Sequence, residues 1–181
     1  MVGAILTQNT SWVNVEKAIA NLKKRNFLSP EMLYNLSNAK LAKIIKPAGY
    51  YNIKAKRLKN FLNFFIEHYQ GDISKMASKD TESLRKELLE VNGIGPETAD
   101  SILLYALKKP VFVVDAYTNR VLLRHGLIKE GAGYDKIQKL FTRRLKKNTK
   151  FFNEYHALLV KLGKEFCLKK KPRCSICPVK S

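Results

Sequence analysis

The chain has 181 residues, 45% of them hydrophobic, and its 34 Lys plus Arg against 15 Asp plus Glu give a formal charge of +19. That length and apolar content suit one folded domain or two small lobes and exclude a disordered polymer, and no apolar run is long enough to span a bilayer. The charge points to a polyanionic partner, nucleic acid or an anionic surface, and it is concentrated late, with fifteen basic and four acidic residues between positions 129 and 181. The opening MVGAILTQNT has no basic stretch ahead of its apolar residues, so a cytoplasmic setting is expected.

Residues 1–6 read as the interior of a helix with no cap before it, so the expectation is that a natural N-terminal helix is missing. Trp12, Val15, Ile19 and Leu22 then mark one helical face, and Leu58, Phe61, Leu62, Phe65 and Ile66 mark a second. Leu84, Leu88 and Val91 close a third helix. Turn signals fall at Ser29-Pro30, at Lys46-Pro47-Ala48-Gly49, at Gly71-Asp72 and at Gly131-Ala132-Gly133. The one strand-like run, residues 111–114, is too short for a sheet and is expected to lead, extended, into a helix that starts at Asp115 and stops at Gly126. Residues 134–145 and 151–166 supply two more helices. The fold class is therefore all-α, divided into a central helical lobe of residues 9–130 and a terminal lobe of residues 1–8 with 131–181.

The centre of the chain carries the most specific pattern. In Val91-Asn92-Gly93-Ile94-Gly95-Pro96 two glycines allow a tight turn between helices, and Pro96 suits the first turn of the second. Amides exposed at such a turn can hold a phosphate oxygen, a grip that reads backbone and not sequence. A dinucleotide fingerprint is excluded, since it needs a preceding strand and a third glycine where this chain has Thr98. Small Ala99 allows the helices to cross closely, with Ile102, Leu103, Ala106 and Leu107 on the same packing face.

LLEVNGIGPETADSIL followed by VVDAYTNRV resembles the helix-hairpin-helix DNA glycosylases of the endonuclease III superfamily, and the resemblance runs from LTQNTSW at residues 6–12 to the terminal cysteines. It implies a two-lobed helix-hairpin-helix glycosylase fold, with Asn92, Gly93 and Gly95 gripping DNA and Asp115 as the catalytic carboxylate. On its own residue type Asp115 is a helix N-cap, worth roughly 0.5–2 kcal/mol. Beside a DNA grip it can also stabilise the positive charge that develops on a sugar as its glycosidic bond breaks, or orient water. Strand-cutting members of the family place a lysine two residues after the second hairpin glycine, where its amine forms a Schiff base. Here that residue is Glu97, which cannot form an imine.

The resemblance extends to recognition of the base, which must leave the duplex to react. Gln8 falls where the family has a glutamine that fills the vacated space. Trp12 belongs by periodicity to a core face, yet QNTSW is similar to the segment of 3-methyladenine glycosylases whose aromatic residue stacks on the flipped purine, where a cationic base gains cation–π attraction. PAGYYNIKAKRLKNF, residues 47–61, resembles the same group, which implies Tyr50 at the base pocket and Lys54, Lys56 and Arg57 near phosphate. Lys164 resembles a pocket-adjacent lysine.

Three cysteines, Cys167, Cys174 and Cys177, cluster with spacing that resembles the first three ligands of the family's [4Fe–4S] loop. The fourth ligand would fall beyond Ser181, so a cluster is expected only in a longer protein. The function expected is a monofunctional glycosylase for alkylated purines such as 3-methyladenine, acting as a monomer on double-stranded DNA that contains a damaged base, with no membrane partner. The alternatives are an endonuclease III-like glycosylase/AP lyase for oxidised pyrimidines and a noncatalytic helix-hairpin-helix DNA-binding protein.

Overall fold

The computed structural model describes residues 1–180, and among them helices follow one another with no strand. The all-α expectation holds. The chain forms two compact units, Met1–Ile102 and Leu103–Ser181.

The first unit contains α1 (Val2–Leu6), α2 (Trp12–Lys23), α3 (Pro30–Asn35), α4 (Asn38–Ile44), α5 (Tyr51–Tyr69), α6 (Ile73–Ser78), α7 (Thr81–Glu90) and α8 (Pro96–Ser101). Short polar side chains start four of them. Ser29 and Ser37 accept the amides of Met32 and Lys40, and Asp72 and Asp80 those of Ser74 and Ser83, supplying partners that the first helical turn lacks. The longest helix, α5, is the unit's spine and packs against α1, α3, α4 and α6. Its buried face is Lys54, Ala55, Leu58, Phe61, Leu62, Phe65 and Tyr69, with the rings of Phe61 and Phe65 stacked at 5.8 Å. Helices α7 and α8 are tied by the Arg85 guanidinium, which donates through Nε and Nη2 to the two carboxylate oxygens of fully buried Asp100 at 2.7 and 3.1 Å. Losing one partner of a buried pair of this kind costs about 3–5 kcal/mol, so the pairing fixes how the two hairpin helices cross.

The second unit holds a π-helical turn, Ile102–Ala106, of which residues from Leu103 on belong to it, then α9 (Ala116–Arg124), α10 (Tyr134–Thr142) and α11 (Thr149–Glu165). Its core is aromatic. Phe112 stacks on Phe141 at 3.8 Å and meets Phe152 edge-on at 5.5 Å, surrounded by Val113, Val114, Val121, Leu122, Ile137, Leu159 and Leu162. Residues 111–114 form neither helix nor strand and are buried. With no neighbouring strand, this backbone is satisfied by side chains: Gln138 Nε2 donates to the Phe112 carbonyl at 2.6 Å, and the Val114 amide donates to Tyr134 Oη at 3.2 Å. The segment delivers Asp115 to the head of α9.

Helix α9 is seated on α11 by a close approach. A Cβ at Gly163 would lie 2.5 Å from Tyr117 Cδ1, so only glycine admits the ring, and the Arg120 guanidinium covers that ring while donating to the carbonyls of Gly163 and Cys167 at 2.9 and 2.7 Å. Arg124 Nη1 lies 3.3 Å from Cys167 Sγ and bonds the Leu168 carbonyl.

The [4Fe–4S] expectation and the metal-ligand role of Cys167, Cys174 and Cys177 are corrected here. Among the described residues no group of three or more His, Cys, Asp or Glu side chains is arranged to hold a metal ion. The three thiols are free: Cys167 is buried against the core with a guanidinium on its sulfur, Cys174 is exposed, and Cys177 is half-buried. Among the described residues these thiols do not form the grouped donor set that such a site needs.

Candidate active site

Asp115 precedes the first residue of α9, and its Oδ1 accepts the Thr118 amide at 2.7 Å, so it is the N-cap that its residue type predicts. Its second oxygen is not spent on the helix. Oδ2 stands 3.4 Å from Nε2 of His156, which is itself buried on α11. Behind the imidazole, Nδ1 is 2.5 Å from the hydroxyl of Tyr105, on the π-helical turn. Burial alone would raise the Asp115 pKa, but the His156 imidazole and the Thr118 amide and hydroxyl outweigh it and hold the carboxyl below its ordinary value. Asp115 is therefore anionic through the neutral and mildly acidic range. The Tyr105 phenol is pushed well above its usual range, first by burial and then by the Asp115 charge, and keeps its proton.

The hairpin belongs to the other unit and is organised by Gln8. Gln8 Nε2 donates to the Gly93 carbonyl and to Thr98 Oγ1, both at 2.9 Å, while its Oε1 accepts from Arg57 Nη1 at 2.6 Å. Asn60 Nδ2 donates to the Asn92 carbonyl at 2.9 Å from the same face of α5. The two glycines differ. Gly93 has φ +96° and a Cβ there would run into the Arg57 side chain, whereas Gly95, the N-cap of α8, is exposed with open space around it. Glu97 is exposed in the first turn of α8.

The remaining expected residues separate clearly. Trp12 is 49% exposed, off the core face that Val15 and Leu22 occupy; its ring edge lies over Gly3 and Nε1 donates to Glu16 Oε1 at 2.8 Å. Tyr50 is 68% exposed in a left-handed conformation ahead of α5. Lys56 is exposed, Arg57 is half-buried against the hairpin, and Lys164 is exposed near the end of α11. Lys54 lies elsewhere: it is 1% exposed, and its ammonium donates to the carbonyls of Leu6 and Ala48 at 2.8 and 2.7 Å. It is a structural cross-link inside the unit, out of reach of phosphate. His156 and Tyr105 were not singled out by the sequence, although His156 shares a helical face with Phe152, Leu159 and Gly163, a polar group at a core position.

A sequence profile of HhH-GPD superfamily base excision DNA repair proteins matches residues 2–147. The chain belongs to that superfamily. It is 54% identical over 182 residues to a protein of Methanocaldococcus jannaschii provisionally named a DNA repair glycosylase, covering 99% of this chain and 82% of that one. The endonuclease III of Rickettsia prowazekii is 29% identical over 180 residues, covering 99% and 79%. Among solved structures, the 3-methyladenine DNA glycosylase of H. pylori bound to 1,N6-ethenoadenine superposes with a TM-score of 0.80 at 30% identity, over 91% of this chain and 83% of that one. This HhH-GPD protein is thus an endonuclease III-like DNA glycosylase, an enzyme acting on damaged bases in DNA. No helix among its described residues is long and apolar enough to cross a membrane.

Proposed function

We propose that this glycosylase removes its base by water, with Asp115 as the catalytic carboxylate. The observation that carries the reading is the Asp115 side chain itself, anionic, half-buried, and with one oxygen left over from capping its helix. As the glycosidic bond breaks, its electron pair leaves with the base and positive charge builds on the sugar, which a fixed anion stabilises. Water oxygen then bonds to C1′ and gives up a proton, and the product is an abasic site. Asn92, Gly93 and Gly95, with Gln8, Lys56 and Arg57, are assigned to the DNA grip, and Trp12 and Tyr50, on the Met1–Ile102 unit, to contact with the base. A cytoplasmic setting belongs to the same proposal.

For the base, the relatives favour the endonuclease III type over the 3-methyladenine type, since several of those that match over nearly the whole chain are named endonuclease III. That supports an oxidised base, and with it the glycosylase/AP-lyase reading. Glu97 weighs against the lyase half, because the hairpin offers no amine there. The reading that satisfies both is an endonuclease III-type glycosylase, for oxidised bases first, whose hairpin does not cut the strand. Alkylated purine is a second reading, favoured by the exposed Trp12 ring and the likeness to the H. pylori protein. Duplexes carrying single damaged bases separate them. Release of thymine glycol or another oxidised base is expected, without borohydride trapping of protein on DNA; preferential release of 3-methyladenine makes the second reading the correct one, and trapping by the unmodified protein overturns the water mechanism. Glu97→Lys is expected to introduce trapping where the parent shows none.

A further inference from the structure

Asp115 is the end of a three-member chain, Tyr105–His156–Asp115, drawn from the π-helical turn, α11 and the head of α9. His156 is 8% exposed on a face otherwise lined by Phe152, Leu159, Leu162 and Gly163. A polar ring at such a site costs stability unless its nitrogens are satisfied. One nitrogen meets the Tyr105 hydroxyl; the other, Nε2, has no hydrogen-bond partner and stands 3.4 Å from Asp115 Oδ2.

Proton placement follows from charge. If Nδ1 carried the proton, the Nε2 lone pair would point at a carboxylate oxygen and repel it. If the Tyr105 O–H donates to Nδ1, then Nε2 carries the proton and points it at Oδ2.

We propose that His156 is a positioning residue for Asp115, held by Tyr105 in the tautomer that directs Nε2–H at the carboxylate. The proposal rests on Asp115 being the catalytic carboxylate. Oδ1 is held by the Thr118 amide, and an imidazole N–H directed at Oδ2 from 3.4 Å restrains rotation of the anion. A separation of 3.4 Å without DNA is in keeping with catalytic hydrogen bonds, which are often long in the free enzyme and tighten in the complex.

The test is single-turnover base release by the full chain on its preferred damaged duplex, with DNA affinity and thermal midpoint measured alongside. Tyr105→Phe keeps the ring and removes the donor; the rate is expected to fall by about tenfold, with DNA affinity and midpoint little changed, the loss being a fraction of what removing a direct transition-state donor brings. His156→Leu should lose more, and His156→Gln, whose amide can donate from the Nε2 position, should regain most of it. In the parent protein, nitrogen NMR of His156 should show a protonated Nε2 and an accepting Nδ1, and Tyr105→Phe should mix the tautomers. Parent-like rates in Tyr105→Phe and His156→Leu, together with an inactive Asp115→Asn, overturn this inference and leave the catalytic carboxylate standing. A fully active Asp115→Asn overturns the carboxylate reading itself. If His156→Leu fails to fold, Tyr105→Phe and the NMR signature decide, and a protonated Nδ1 in the parent refutes the proposal.

Discussion

Asp115→Asn should reduce base release by about 10²- to 10⁴-fold, the range associated with removing a positioned charge or proton acceptor from a transition state, while damaged DNA is still bound. The substitution isolates charge from structure. Asparagine caps helices as well as aspartate does, so its side-chain oxygen can go on accepting the Thr118 amide, and α9 and the aromatic core behind it should keep their stability. Single-turnover release, read against affinity for a duplex with an uncleavable abasic analogue, checks both halves. A loss of affinity as large as the loss of rate would show that Asp115 holds DNA and does not act on it.

The second large effect is expected at Gly93. Gly93→Ala places a side chain at φ +96° and drives it into Arg57, so about 1–3 kcal/mol of stability should go, from backbone strain and displacement of a packed side chain together. DNA affinity should fall with it, because the Gly93 carbonyl is the acceptor that seats Gln8, and Arg57 is Gln8's other partner. Gly95→Ala provides the contrast. Its Cβ meets nothing and its φ of −91° suits any residue, so the thermal midpoint should move little, and a drop in DNA affinity would then report close approach of the strand. Chemical denaturation and salt-dependent DNA titration distinguish the two. Equal stability losses at both positions would contradict the different roles the structure gives them.

Much of this organisation was legible because it depends on local periodicity and on residues with few alternatives. The 3.6-residue pattern located α2, α5, α7, α9 and α11, and Asp115, coming after four apolar residues, read on residue type alone as the helix cap it is. Misplacements came where a long-range contact decided. Lys54 sits among Lys56 and Arg57 and reads as one more surface cation, although positions 54, 58, 61 and 65 are one helical face; two orphan carbonyls from α1 and the loop before α5 take its ammonium inward. Trp12 is in phase with Val15 and Leu22, but it opens its helix, where a side chain has no preceding turn of the same helix to pack on. The pairing of Tyr105 with His156 joins residues 51 apart, through a π-helical turn that apolar spacing alone presents as ordinary helix. The cysteine pattern misled because spacing suggests ligands without bringing the three thiols together as a donor group among the described residues.

The interior position of Lys54 gives the protein a built-in reporter. It is the only buried lysine among the described residues, and burial, then the neighbouring Arg57 charge, lowers its pKa, so in the native chain its amine is shielded from acylating reagents that mark the outward-facing lysines. Labelling at Lys54, followed by mass spectrometry, therefore times how often the Met1–Ile102 unit breathes open, and a damaged duplex that clamps this unit should lengthen that interval.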